Sequence, residues 1–168
     1  ANPQEWDYKK YMDDLYTLQN RGYCLGFHDG KLTNISQNYE YTRTLGECLF
    51  AGSIVEWQGD DAVFEVRNYI NSGEFIDFLI PNTLENLRLT LTEFEDADSG
   101  EVTPRVSAGQ GKKIRIKPAQ WNLPIAEVKA KLPQYVIARK WQGLNGENAE
   151  MYERKRQEFS QLISKEDK

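Results

Sequence analysis

A chain of 168 residues is long enough for one domain with a real core, or one domain with an appendage, and too short for two full-sized domains. Hydrophobic residues at 39% and charged residues at 28% describe a globular protein on the polar side of average. No apolar run approaches the roughly 18 residues of a membrane span, and the N-terminus lacks a basic stretch followed by an apolar one. The expectation is neither a membrane protein nor a secretory precursor.

The net charge of -5 conceals a split. Residues 1–100 hold 7 basic against 18 acidic side chains, residues 101–142 hold 9 against 2, and residues 143–168 hold 5 against 6. A basic segment inside an acidic chain is an asymmetry worth testing against nucleic acid.

In chain order, Tyr8, Tyr11, Met12, Leu15 and Leu18 recur at helical spacing among charged neighbours, which predicts an amphipathic helix over about residues 5–19 with that stripe as its packing face. From Gly22 the pattern changes to short apolar runs between turn residues: Tyr23 to Phe27, Leu49 to Trp57, Ala62 to Arg67, Glu74 to Ile80, Leu87 to Phe94 and Lys113 to Lys117. Leu87, Leu89 and Leu91 alternate with Arg88, Thr90 and Thr92, so one face is buried and the other wet. Ile114 and Ile116 alternate with Lys113, Arg115 and Lys117, which points three cations outward from one strand. Leu123 to Leu132 reads as a helix, Gln134 to Trp141 as a final strand, and Glu147 to Ile163 as a second terminal helix with a thin stripe of Met151, Phe159, Leu162 and Ile163. Five to seven short strands in about a hundred residues either leave sticky edges or close, so the expected fold is mainly β, a small closed barrel flanked by helices. The expected organisation is a helix at 1–19, a barrel domain at 20–142 and a helical extension at 143–168.

Two cysteines, Cys24 and Cys48, and the lone His28 lack the spacing of a zinc or iron–sulfur site, and they read as thiols of a reducing, cytoplasmic compartment. The sequon at Asn34 then reads as chance. A Cys24/His28 dyad would make the chain an autonomous hydrolase, but nucleophilic catalysis also needs a base oriented by a third group, and spacing alone does not show one. The carboxylate pairs Asp60/Asp61 and Glu95/Asp96 read as solvated turn charges. Gly109, Gln110, Gly111, Lys112 and Lys113 lack the spacing and hydroxyl of a phosphate-binding loop and read as a hairpin turn.

Four segments carry a resemblance. Asn20, Arg21, Gly22, Tyr23, Cys24, Leu25, Gly26 and Phe27, preceded by Asp14, Leu15 and Tyr16, resemble the His-Arg-Gly-Tyr-Thr-x-Gly-Phe motif that opens the C-terminal β-barrel domain of the peptidase U32 family. Gln37 to Tyr41 is similar to that family's Gln-Asn-Tyr-Glu-Tyr segment, Leu49 to Val55 to its Phe-Val-Gly-x-Val strand, and Val66 to Glu74 to its Val-Lys-Asn-Lys-Phe-x-x-Gly-Asp turn. The order is the family's across residues 14–80. The sequence departs from it at Asn20 for His, Cys24 for Thr and Glu74 for Asp, and the C-terminal extension has no counterpart. The resemblance implies a barrel like the second domain of translation elongation factors. It also implies a parent protein classed with collagenase-like proteases or with bacterial relatives that hydroxylate a tRNA uridine or rRNA cytidine using prephenate and an iron–sulfur cluster. That chemistry belongs to a preceding catalytic domain, so neither catalytic residue, metal nor cofactor is expected in this chain.

The expected role is therefore a non-catalytic accessory module, partnered by the missing N-terminal catalytic domain and contacting RNA or a polypeptide substrate, with no membrane involved. Arg105, Lys112, Lys113, Arg115 and Lys117 fall on one hairpin with Trp121 just beyond and Arg139, Lys140 and Trp141 on the last strand. Cations for phosphate beside rings for unpaired bases are what nucleic-acid binding uses. Arg21, Tyr23, Arg67 and Asn68 join that candidate set from the family motifs. The rival reading of the outward lysines is a protected strand edge, and of the motif glycines, turns and close backbone approach.

Overall fold

The computed structural model describes residues 7–20, 23, 31, 46–109, 111–142, 150, 154 and 157. Two compact units divide the chain, one of Ala1–Cys48 with Gln142–Lys168 and one of Leu49–Trp141.

In the first unit, helix α1 spans Tyr8–Thr17, and the Asp7 side chain caps it by accepting from the Lys10 N–H at 3.2 Å. The expected packing stripe is not what α1 buries. Tyr11, Leu15 and Leu18 are exposed, whereas Tyr16 is buried and meets Tyr23 edge-on at 5.5 Å. Periodicity picked the more apolar face, but the buried Tyr16 lies one position off it. The expected strand Tyr23 to Phe27 falls outside the described residues except for Tyr23. Glu150, Arg154 and Gln157 have helical backbone; the rest of the extension lies outside the described residues.

The second unit is mainly β. Its strands are β1 (Cys48–Gln58, entering from the first unit), β2 (Asp61–Val66), β3 (Ile70–Asn71), β4 (Phe75–Leu79), β5 (Asn86–Thr90), β6 (Phe94–Asp96), β7 (Val102–Thr103), β8 (Arg105–Val106), β9 (Lys113–Ile116) and β10 (Ile137–Trp141). A 3-10 turn at Pro118–Gln120 and helix α2 at Ile125–Lys131 separate the last two strands. Eight strands form one sheet in the order β5-β4-β10-β1-β2-β9-β6-β7, and β3 pairs with β8 as a separate ribbon.

The β1–β2 hairpin places Gly52 opposite Val66 and Ser53 opposite Glu65, with a bulge between Ile54 and Glu56. That bulge lets Ile54 and Trp57, three positions apart, both turn to the core, where Ala62, Phe64 and Val66 of β2 and Ile114 and Ile116 of β9 join them. Phe64 on β2 and Phe78 on β4 stand three strand positions apart, about 14 Å in a flat sheet at the usual spacing. Their rings are nevertheless 5.6 Å apart, and Trp121 lies 5.3 Å from Phe78. The sheet is therefore strongly curled, with these aromatics filling its concave side and α2 contributing Val128. The ladders stop at β5 and β7 and none joins these two among the described residues, so a strongly curled half-barrel sheet is shown and the expected closure is not. The two edges are blunted in other ways. β7 is only two residues long, and β5 presents Asn86, Arg88 and Thr90 to solvent.

Gly52 makes this curvature feasible. A Cβ there would stand 2.1 Å from the Glu65 carbonyl oxygen and 2.7 Å from the Phe64 ring, both inside contact distance. Gly52→Ala is expected to cost roughly 1–3 kcal/mol, as overpacking does, read as a lower denaturant midpoint at unchanged slope. Tyr135 works in the opposite sense. It holds φ at 67° with its side chain 70% exposed, a left-handed backbone that an aromatic residue adopts only under strain. Tyr135→Gly should raise stability by roughly 0.5–1 kcal/mol, and Tyr135→Ala should not.

Candidate functional site

The sequence singles out the basic strand β9. Ile114 and Ile116 are buried, so Lys113, Arg115 and Lys117 stand on the convex side of β9, as the alternation predicted. The sheet order then places two acid-bearing strands beside them. Register sets Arg115 opposite Val63 of β2 and Glu95 of β6, and Lys113 opposite Glu65. Arg115 reaches Asp61 at 3.3 Å and Glu95 at 3.6 Å and donates to the Ala97 carbonyl at 3.2 Å. Lys117 pairs with Glu95, and Lys112 with Asp96. Asp96 also accepts from the N–H groups of Asp98 at 2.9 Å and Ser99 at 2.8 Å. The Lys112 ammonium, followed by those two amides, holds the Asp96 carboxyl far below the usual carboxylate range. Hydrogen bonding to Glu95 in turn raises the Lys117 ammonium, and bonding to Asp96 raises that of Lys112.

Lys112, Arg115 and Lys117 thus pair with Asp96, Asp61 and Glu95, while Lys113 lies opposite Glu65, whose ion pair is with Arg67. Each exposed pair contributes only about 0–1 kcal/mol to stability. Their collective consequence is electrostatic: opposite charges a few ångströms apart largely offset each other beyond a Debye length of about 8 Å, so the paired cations offer a polyanion less than their number suggests.

Trp121 lies elsewhere. It is 6% exposed and packed between Phe78 and Trp57, the latter 6.3 Å away, so its ring is core and shares no surface with the cations. Arg67 pairs with Glu65 at 3.0 Å, and the Asn68 side-chain oxygen accepts from the Tyr69 N–H at 3.0 Å. In the first unit, the Tyr23 hydroxyl donates to the Leu15 carbonyl at 2.6 Å, and burial, the largest effect on it, pushes its pKa up. Arg21, Cys24 and His28 lie outside the described residues.

Two clusters emerge that the sequence reading did not assemble. On the ribbon, exposed Tyr69 lies between two cations, with the Lys140 ammonium 3.4 Å and the Arg105 guanidinium 5.8 Å from its ring centre. Lys140 is 2% exposed and donates to Glu74 at 3.1 Å. Glu74 also accepts from the Asn71 amide nitrogens, backbone at 3.1 Å and side chain at 2.8 Å. Burial alone would raise the Glu74 pKa, but Asn71 and Lys140 outweigh it and hold the carboxyl below its ordinary value. The Asn71 to Glu74 motif is therefore a self-bonded turn, with Gly73 at φ 80°.

The second cluster is a row across three strands, Arg139 on β10, Asp77 on β4 and Arg88 on β5. Arg88 grips Asp77 with two bonds of 2.7 and 2.9 Å, and the Trp141 indole N–H donates to the same carboxylate at 2.7 Å. The Arg88 guanidinium covers the Phe75 ring at 4.1 Å, and that of Arg139 stands 5.6 Å from the Trp141 ring. Asp77 is 1% exposed. Its desolvation would raise the pKa, but the Arg88 and Trp141 donors and the charges of Arg88 and Arg139 reverse that and lower it. One sequence signal was available here, a carboxylate inside the apolar run Phe75, Ile76, Asp77, Phe78, Leu79. Among the described residues, no group of three His, Cys, Asp or Glu side chains is placed to hold a metal ion, and no helix is long and apolar enough to cross a membrane.

No protein-family model and no curated protein matches the chain. Among solved structures, the C-terminal domain of a Geobacillus thermoleovorans protein classed as a U32 peptidase is similar at 21% identity, over 55% of this chain and 92% of that chain, with a TM-score of 0.42. The selenomethionine variant of that domain is similar at 20% identity, over 55% and 99% of the respective chains, with a TM-score of 0.39.

Because Asp77 has a lowered folded pKa, its share of stability is present above the unfolded carboxylate value of about 4 and is lost as pH falls through the folded one. Asp77→Asn is expected to remove that part of the acid dependence and to cost roughly 1–3 kcal/mol at pH 7, since Asp77 and Arg139 are buried while the Arg88 side chain is 56% exposed. Denaturant midpoints of both proteins between pH 7 and pH 3 read both effects.

Proposed function

We propose that this chain is the accessory C-terminal domain of a larger U32-type protein, non-catalytic by itself, and that it acts by holding the catalytic domain or a polypeptide substrate. The observation that carries the reading is what the family-like segments do. Leu49 to Val55 supplies the strand whose Gly52 admits the close approach of β2, and Asn71 to Glu74 supplies a turn closed by its own side chains. Both are framework roles, suited to a domain recognised by its fold and not by a reaction. The carboxylate pairing of Lys112, Arg115 and Lys117 favours a protein partner over a polyanion. On this reading any iron–sulfur or other cofactor belongs to the preceding domain, and the protein works in the cytoplasm.

A pulldown of the parent's catalytic domain by the purified chain tests this. Association is expected to survive Lys113→Glu and Lys117→Glu, and absence of association at tens of micromolar would overturn the proposal.

One observation favours a second reading, in which the domain presents tRNA or rRNA to the catalytic domain. Exposed Arg105 beside the exposed Tyr69 ring is a place where a phosphate and an unpaired base could be met together. Filter binding at low salt would then show affinity that falls with added salt and weakens in Arg105→Glu and Tyr69→Ala, while Lys117→Glu has little effect. If wild-type protein shows no affinity at 50 mM salt, on the order of the conditions where phosphate contacts are strongest, this second reading is lost.

A further inference from the structure

We draw no further inference here: the strongest candidate, the exposed apolar side chains of Phe75 on β4 and Ile137 on β10, carries none because nothing in the structure shows what covers them.

Discussion

The contact between Phe64 and Phe78 across the concave side of the sheet is the constraint from which most of the second unit follows. Two rings that a flat sheet would separate by about 14 Å meet at 5.6 Å, which is achieved only if β10 and β1, lying between them, bend. Bending needs a place where two backbones approach closely and a place where the hydrogen-bond ladder gains a residue. Gly52 and the bulge between Ile54 and Glu56 supply these on the same strand. Trp121, delivered by the 3-10 turn after β9, then fills the hollow beside Phe78 and Trp57. Burying such rings is worth several kcal/mol each, enough to hold the curvature against the strain at Tyr135.

The same sheet order decides the electrostatics. β9 is the most basic strand, and its two neighbours carry Asp61 and Glu65 on one side and Glu95 and Asp96 on the other. Of the nine cations that follow one another along residues 101–142, Lys112, Arg115 and Lys117 meet carboxylates of β2 and β6 across the sheet. Cross-strand pairs of opposite charge add small increments of stability and help fix register, because a one-residue slip would turn the cations toward the core. A cation beside an exposed ring lies instead at the ribbon, where the Arg105 guanidinium stands 5.8 Å from the Tyr69 ring centre.

Much of the fold was legible in the sequence, for a physical reason in each case. The runs at Leu49 to Trp57, Ala62 to Arg67, Glu74 to Ile80, Lys113 to Lys117 and Gln134 to Trp141 each overlap an observed strand, because their alternation or apolar content answers directly to a one-sided core. Helix α2 falls inside the expected Leu123 to Leu132. The single run Leu87 to Phe94 splits into β5 and the start of β6, and β3, β7 and β8 are two residues each, too short for any period to register. Closure of the sheet was inferred from the number of strands, but whether edges meet depends on curvature and strand length, which counting does not contain.

The candidate site was less legible. The outward direction of Lys113, Arg115 and Lys117 followed from period two, whereas their neutralisation depends on which strands lie beside β9, and Asp61 and Arg115 are 54 positions apart along the chain. Trp121 was grouped with the cations by sequence proximity and is separated from them by burial. The Arg139, Asp77 and Arg88 row is likewise a product of register across three strands. The account rests on the basic strand being matched within the sheet and not held open for a polyanion. A double-mutant cycle between Glu95 and Lys117, by denaturant unfolding at low and high salt, tests this most directly. Coupling of about 0.5 kcal/mol that shrinks as salt rises is the predicted result. Zero coupling at both salt concentrations would contradict it.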